Sequence, residues 1–277
     1  MSDTEDLTAS NSYIDAELVN RIKKIEDCFG ADVITCVVPI MPPIDDVIRQ
    51  LLDGLDGKRQ NLLVLLETGG GSIETTERIA DVFRHHYSAG EVSFLIPNQA
   101  MSAGTILVMC GDRILMDYYS NLGPIDPQIA DDHNELVPGM GYLLKFDELV
   151  AKSRKGSLSP AELAFLLDKF DPAKLHWLEQ AREHGVDLLK KWLVQYKFRN
   201  WTVTETRGLK VTQSMKDKRA VEIANKLNDT KRWRSHGRGI SMTTVRDTLN
   251  LKVEDYGTDP AHSDLNRAVT AYYRLLK

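Results

Sequence analysis

Leu62-Leu63-Val64-Leu65-Leu66 closes into Glu67-Thr68-Gly69-Gly70-Gly71-Ser72, and the fold class turns on these eleven residues. A short apolar run bounded by turn residues reads as a strand buried on both faces. The glycines directly after it let backbone approach another group closely and turn its amides toward it. A second stretch repeats the pattern: Pro97-Asn98-Gln99-Ala100-Met101-Ser102-Ala103-Gly104 follows the apolar run at Val92 to Ile96 and enters the apolar segment Thr105 to Cys110. There Ser102 stands at a strand-to-helix junction, where helix amides favour a developing negative charge.

Working outward, strands and helices alternate. Val33 to Ile40 reads as a strand, and Pro43 suits the first turn of a helix through Leu52. Ile73 to Tyr87 reads as the helix after the glycines, and Arg113 to Met116 as a fourth, short strand. The fold class this predicts is α/β, a mostly parallel sheet wrapped by helices. Upstream, Ile14, Leu18, Ile22 and Ile25 lie on one helical face, and residues 1–12 read as a disordered lead. From Tyr142 on, helical periodicity prevails. Ser159-Pro160-Ala161-Glu162 is a capping box, and Leu175 to Tyr196, Met215 to Leu227, Met242 to Leu249 and Asp264 to Leu276 are helix candidates. The expected organisation is therefore a lead at 1–12, a catalytic core at 13–140 and a helical C-terminal region at 141–277.

Composition bounds the function. A chain of 277 residues with 42% hydrophobic and 27% charged residues is an ordinary globular protein. The net charge of −5 argues against a nucleic-acid partner, so Lys190-Lys191-Trp192 and Lys231-Arg232-Trp233-Arg234 read as amphipathic helix rather than a stacking stripe. Cys28, Cys36 and Cys110 match no metal-ligand spacing, and the last two sit in apolar runs as small core residues. No signal peptide and no spanning helix are expected, which makes the expected location cytoplasmic. Asp126, Asp131, Asp132 and Glu135 match no dedicated metal loop, so neither metal nor cofactor is assigned.

A serine becomes a nucleophile only when one group takes its proton and another stabilises the oxyanion. Ser102 at a helix start would put the Ala103 amide beside the reacting carbon, and Gly70 offers a second amide. The plain structural alternative makes Gly69 to Gly71 a tight turn and Ser102 a helix cap. Two such signals, each straight after an apolar strand, favour the chemical reading. The glycines form neither a phosphate loop nor a dinucleotide fingerprint. Ala100 also breaks the Gly-x-Ser-x-Gly pattern of a nucleophile elbow.

Thr68-Gly69-Gly70-Gly71-Ser72, Ala100-Met101-Ser102-Ala103-Gly104 and Leu122-Gly123-Pro124-Ile125-Asp126-Pro127-Gln128 together resemble the serine dehydrogenase proteinase family, relatives of the Clp and signal-peptide-peptidase groups. The match is most specific over Leu62 to Ile129 and returns at Ser235-His236. The resemblance implies a Clp/crotonase-type spiral of β-β-α units, self-assembly into a homo-oligomer, and a serine, aspartate, histidine triad. Carried onto this sequence, Ser102 matches the nucleophile, Gly70 the oxyanion glycine, Asp126 the orienting acid and His236 the base.

Rival bases are His133 and Lys145, and Asp117 is the rival orienting acid. His85 and His86 read as surface residues, and His176, His184 and His262 as solvated. Many relatives carry an N-terminal membrane helix that this sequence does not show, so the resemblance implies either a lost membrane address or substrates reached through a partner, such as an adaptor or activating protein. The expected function is a soluble serine peptidase acting on a peptide or protein. The competing expectations are a catalytically silent peptide-binding scaffold and a crotonase-like thioester hydrolase.

Overall fold

The computed structural model describes residues 2–130 and 135–277, with side chains from Asn11 onward. Helix α1 (Ser2–Phe29) leads into β1 (Asp32–Val37), α2 (Ile44–Asp53), β2 (Leu62–Glu67), α3 (Ile73–His86) and β3 (Val92–Leu95). Next come β4 (Gln99–Ala100), α4 (Ala103–Val108), β5 (Arg113–Met116), β6 (Asn121–Leu122), β7 (Gln128–Ala130) and β8 (Leu136–Pro138). The second half holds α5 (Gly139–Arg154), α6 (Pro160–Lys169), α7 (Pro172–Trp192), α8 (Gln213–Leu227) and α9 (Thr230–Trp233). It ends with β9 (Ile240–Ser241), α10 (Met242–Asp247), β10 (Glu254–Asp255) and α11 (Ser263–Leu276).

The main sheet has the order β1-β2-β3-β5-β10, and every neighbouring pair is parallel. Parallel strands need crossover connections, and helices supply them, so both faces of the sheet are covered. Strand β2 shows how. Leu62, Val64 and Leu66 pack into the larger core with α2, α3, α4, α7 and α8 residues, whereas Leu63 and Leu65 face a second core with α1 and α11. All five are at most 2% exposed, the burial that their uninterrupted apolar run predicts.

A second, small sheet of order β4-β6-β9 rises from the ends of the main one. Strand β3 passes into β4 and β5 into β6, so two of the main-sheet strands are each followed by a short strand in the small sheet. After β4 comes α4, completing a strand–strand–helix unit of the kind expected. The expected α/β class with a parallel, helix-wrapped sheet is therefore found.

Three local expectations are corrected. The second half is not helical throughout, because β9 and β10 come from it and complete the small and main sheets. Strands of two residues carry no readable period. Pro43 is the N-cap of α2, one position before its first turn. Helix α1 begins at Ser2, and no proline or glycine interrupts the stretch 2–12 that reads as a disordered lead. The capping box holds: Ser159 accepts from the Glu162 amide while Glu162 reaches back to the Ser159 amide. Trp192 and Trp233 are buried, so the basic-aromatic stretches are helix faces with core aromatics. Cys36 and Cys110 are core residues, and burial pushes both thiols up to about 12. Among the described residues, no helix is long and apolar enough to cross a membrane.

Candidate active site

The small sheet gathers the candidate residues. Strand β4 runs parallel to β6 and β9 runs antiparallel to it, with Ala100 paired to Leu122 and Leu122 to Ile240. The chain therefore leaves β4 toward Ser102 and leaves β6 toward Asp126 at the same end at which it enters β9 from His236. With neighbouring strands about 4.8 Å apart, Ala100 and Ile240 are separated by about 10 Å. One bridge extends this register to the glycines, because Thr68 pairs in parallel with Ala100. Gly70 and Ser102 each lie two residues further on, and so come level.

Ser102 is held in an unusual turn. Its backbone has φ 53° and ψ −119°, and its side chain makes no capping hydrogen bond to α4. A non-glycine residue in that region stores about 1–3 kcal/mol of strain, and such residues cluster at functional sites. A helix-cap serine would have extended backbone and a bonded hydroxyl. Ser72 is that kind of serine: it has extended backbone and accepts from the Thr75 amide at 3.1 Å. The contrast removes the cap reading for Ser102. The strained strand-to-helix turn of a nucleophile elbow is thus present without its flanking-glycine sequence. As the first helical residue, Ala103 has an N–H that α4 itself cannot satisfy.

The glycines are needed for space and backbone angle. Gly70 has φ 109°, and a Cβ placed there would lie 2.8 Å from Ser102 Cβ and 3.4 Å from Ser102 Oγ. Gly70 is therefore packed on the serine. Its N–H, however, donates to Thr68 Oγ1 at 3.1 Å. Gly71 has φ 152°, and its bridge to Ile40 leaves no room for a side chain: Ile40 O would be 2.1 Å from a Cβ.

His236 Nδ1 and Asp126 Oδ1 are 3.0 Å apart, with side chains 11% and 3% exposed. This pairing joins residues far apart in the chain and leaves Nε2 as the ring's other nitrogen. Asp126 is placed by β6 and by the Ile125 amide, which donates to Leu227 O at 3.2 Å. His236 is placed by Arg234, a left-handed residue (φ 63°) that ends α9 and turns the chain toward β9.

The rivals are accounted for differently. Asp117 accepts from the Tyr119 and Ser120 amides and from the Tyr256 hydroxyl, which makes it a turn-forming residue. Lys145 is exposed on α5 and pairs with Glu148 at 3.0 Å. His85 is exposed, whereas His86 is largely buried and faces Asp53 at 3.2 Å. His184 and His262 are half-buried against Glu77 and Glu254, rather than solvated as expected. His133, with Asp131 and Asp132, lies outside the described residues.

Sequence reading missed two threonines. Thr105, fully buried, donates to Ala100 O at 2.7 Å and accepts from the Gly123 amide at 2.8 Å, tying the Ser102 turn to the segment that carries Asp126. Thr68 holds the Gly70 amide. A threonine two residues before a glycine was the available signal, since its hydroxyl favours a local turn.

Residues 44–137 match the sequence family described as ClpP-like SDH-type serine proteinase. His236 lies beyond that match. Among curated proteins, the chain is 35% identical over 67 residues to the uncharacterized protein MJ0137 of Methanocaldococcus jannaschii, covering 24% of this chain and 23% of that one. It is 30% identical over 127 residues to the uncharacterized protein MJ1495 of the same organism, covering 46% and 38%. The chain thus spans well under half the length of these relatives. Among solved structures, the membrane-bound stomatin-specific protease 1510-N aligns over 80% of this chain and 76% of its own, with 10% identity and a TM-score of 0.46. The ClpP protease catalytic domain of Plasmodium falciparum aligns over 32% and 52%, with 18% identity and a TM-score of 0.28. Neither alignment bears on the site at those scores. The stretch that carries the glycine turn, Ser102 and Asp126 is similar to the ClpP-like SDH-type serine proteinases, the resemblance that its own motifs led us to expect.

Proposed function

We propose that this protein is a serine peptidase that cleaves a peptide or protein through an acyl-enzyme on Ser102. The observation that carries this reading is the Ser102 turn. A strained serine with an uncapped hydroxyl comes off the same end of the same small sheet as the His236–Asp126 pair. His236 Nε2 takes the hydroxyl proton as Ser102 Oγ bonds to the scissile carbon, and the carbonyl π pair moves onto oxygen. The Ala103 and Gly70 amides receive that oxyanion. On collapse the C–N bond breaks and His236 returns its proton to the leaving amine. Water then repeats the cycle and frees the acid. Asp126 keeps Nδ1 protonated and supports the imidazolium that forms.

The test is labelling with a fluorophosphonate probe, followed by mass spectrometry of the labelled peptide. Ser102 Oγ displaces fluoride from phosphorus and His236 accepts the proton, so label on Ser102 reports an activated serine. Ser102→Ala should abolish label and peptide turnover in a folded protein. His236→Ala and Asp126→Asn should lower turnover by about two to four orders of magnitude. Turnover that survives Ser102→Ala, or label that survives His236→Ala but not His133→Ala, would overturn the mechanism or its base.

A further inference from the structure

Thr68 is the first residue beyond β2 and is 3% exposed. Its backbone is fixed on both sides: its amide donates to Gln99 O at 2.9 Å and its carbonyl accepts from the Met101 amide at 3.0 Å. Its side chain has two contacts that meet at the serine turn. Cγ2 fills the space over Gly104, where an added Cβ would lie 2.4 Å away. Oγ1 accepts the Gly70 N–H at 3.1 Å and donates to Gly70 O at a long 3.4 Å.

An amide has one hydrogen. Gly70 lies level with Ser102 and against it, yet in this state its hydrogen is committed to a threonine hydroxyl. Bonds to a charged acceptor are roughly twice as strong as neutral ones, so an oxyanion over Ser102 would draw that hydrogen away. We infer that Thr68 is a positioning residue that latches the oxyanion amide of Gly70 in the resting site. The latch opens only when negative charge develops on a bound substrate. The inference rests on the peptidase reading above and adds to it a control on the oxyanion hole, set by a side chain that is itself outside the triad. Because the latch must be broken on the way to the transition state, it slows acylation while it holds the loop in place.

Thr68→Val keeps the branched shape and removes the acceptor. Two readouts then move in opposite directions. The saturating rate of fluorophosphonate labelling at Ser102 should rise about two- to tenfold, the factor that one neutral hydrogen bond represents, with no gain in apparent affinity for the probe. The melting temperature should fall by a few degrees, because the Gly70 amide loses its partner. Thr68→Ser, which restores the hydroxyl without the methyl, should bring the labelling rate back down. Amide hydrogen exchange at Gly70 should be faster in Thr68→Val than in wild type. Thr68→Ala, which also lacks the acceptor, serves if the valine variant does not fold.

A threonine that only supports the fold would lower stability and labelling together. A labelling rate at or below wild type in the acceptor-free variants that fold therefore overturns the latch, while label on wild-type Ser102 leaves the peptidase reading standing. Absence of label on Ser102 in wild type and all Thr68 variants would instead remove the peptidase reading, and the latch with it.

Discussion

At the scale of single residues, the site is marked by backbone angle as much as by side-chain chemistry. Ser102 stands at φ 53°, a position glycine reaches without penalty and serine does not. Ser102→Gly and Ser102→Ala both remove the hydroxyl, but only glycine also relieves the turn. The glycine variant should be more stable than the alanine variant by about 1 kcal/mol, read as a melting point about 2–4 °C higher. Equal melting points would mean that the turn carries no strain. The motif Ala100-Met101-Ser102-Ala103-Gly104 pointed to Ser102 as the candidate, and Gly70 was legible as its neighbour because three glycines after a buried strand demand a close approach. The state of the Gly70 amide was not legible. A hydrogen has one direction, and the sequence cannot say whether it points at Thr68 or at the substrate.

At the scale of elements, long periodic segments were readable and two-residue strands were not. Strand β2 and helices α3 and α8 follow from their apolar patterns, whereas β4, β6 and β9 are too short to have one. Those short strands nevertheless align the candidate site. Beyond α7 the chain widens into one turn of π-helix, Leu193–Lys197, whose last residue has its ammonium near Asp112, Arg113, Lys252 and Glu254. Its ammonium donates to Asp112 O at a long 3.3 Å. Burial lowers the Lys197 pKa from 10.5 to about 8. With the folded value depressed, the unfolded chain holds the extra proton between those values, so this group makes stability rise with pH across that window. From about pH 7.5 to about pH 9 the gain should be about 1 kcal/mol, mostly below the range in which tyrosines titrate. Thermal melts of Lys197→Met should lack that rise. An unchanged slope would show that the ammonium is solvated.

At the scale of the whole molecule, the C-terminal helix is attached to the strand that delivers the glycines. Helix α11 packs on α1 and covers one face of the sheet, with Leu265, Val269 and Tyr272 in the second core. Its Tyr272 hydroxyl donates to Thr35 Oγ1 at 2.9 Å on β1. Tyr273 and Lys277 both bond Glu67, the residue before Thr68, and Glu67 also accepts from Asn98 Nδ2 at 2.8 Å. The ends of β2 and β3, which carry the two site loops, are therefore joined to each other and to the last helix. Tyr273→Phe should cost about 1 kcal/mol in chemical denaturation, with an unchanged dependence on denaturant. A loss near zero would show that Lys277 and Asn98 satisfy Glu67 by themselves.

Contiguous residues were enough for the α/β class, the buried parallel strands, the candidate serine and the glycine turn that faces it. Each of these is written in contiguous residues, through apolar runs, glycines and a small-residue motif. Contacts between distant segments came from the folded chain. It gave the His236–Asp126 pair, which the family resemblance had implied, a 3.0 Å contact across more than a hundred residues, brought β9 and β10 back from the second half to complete the small and main sheets, and placed Asp117 in a turn of its own. Such contacts depend on the register of short strands and on where loops return. Those are properties of packing between elements, and no local pattern of residues encodes them.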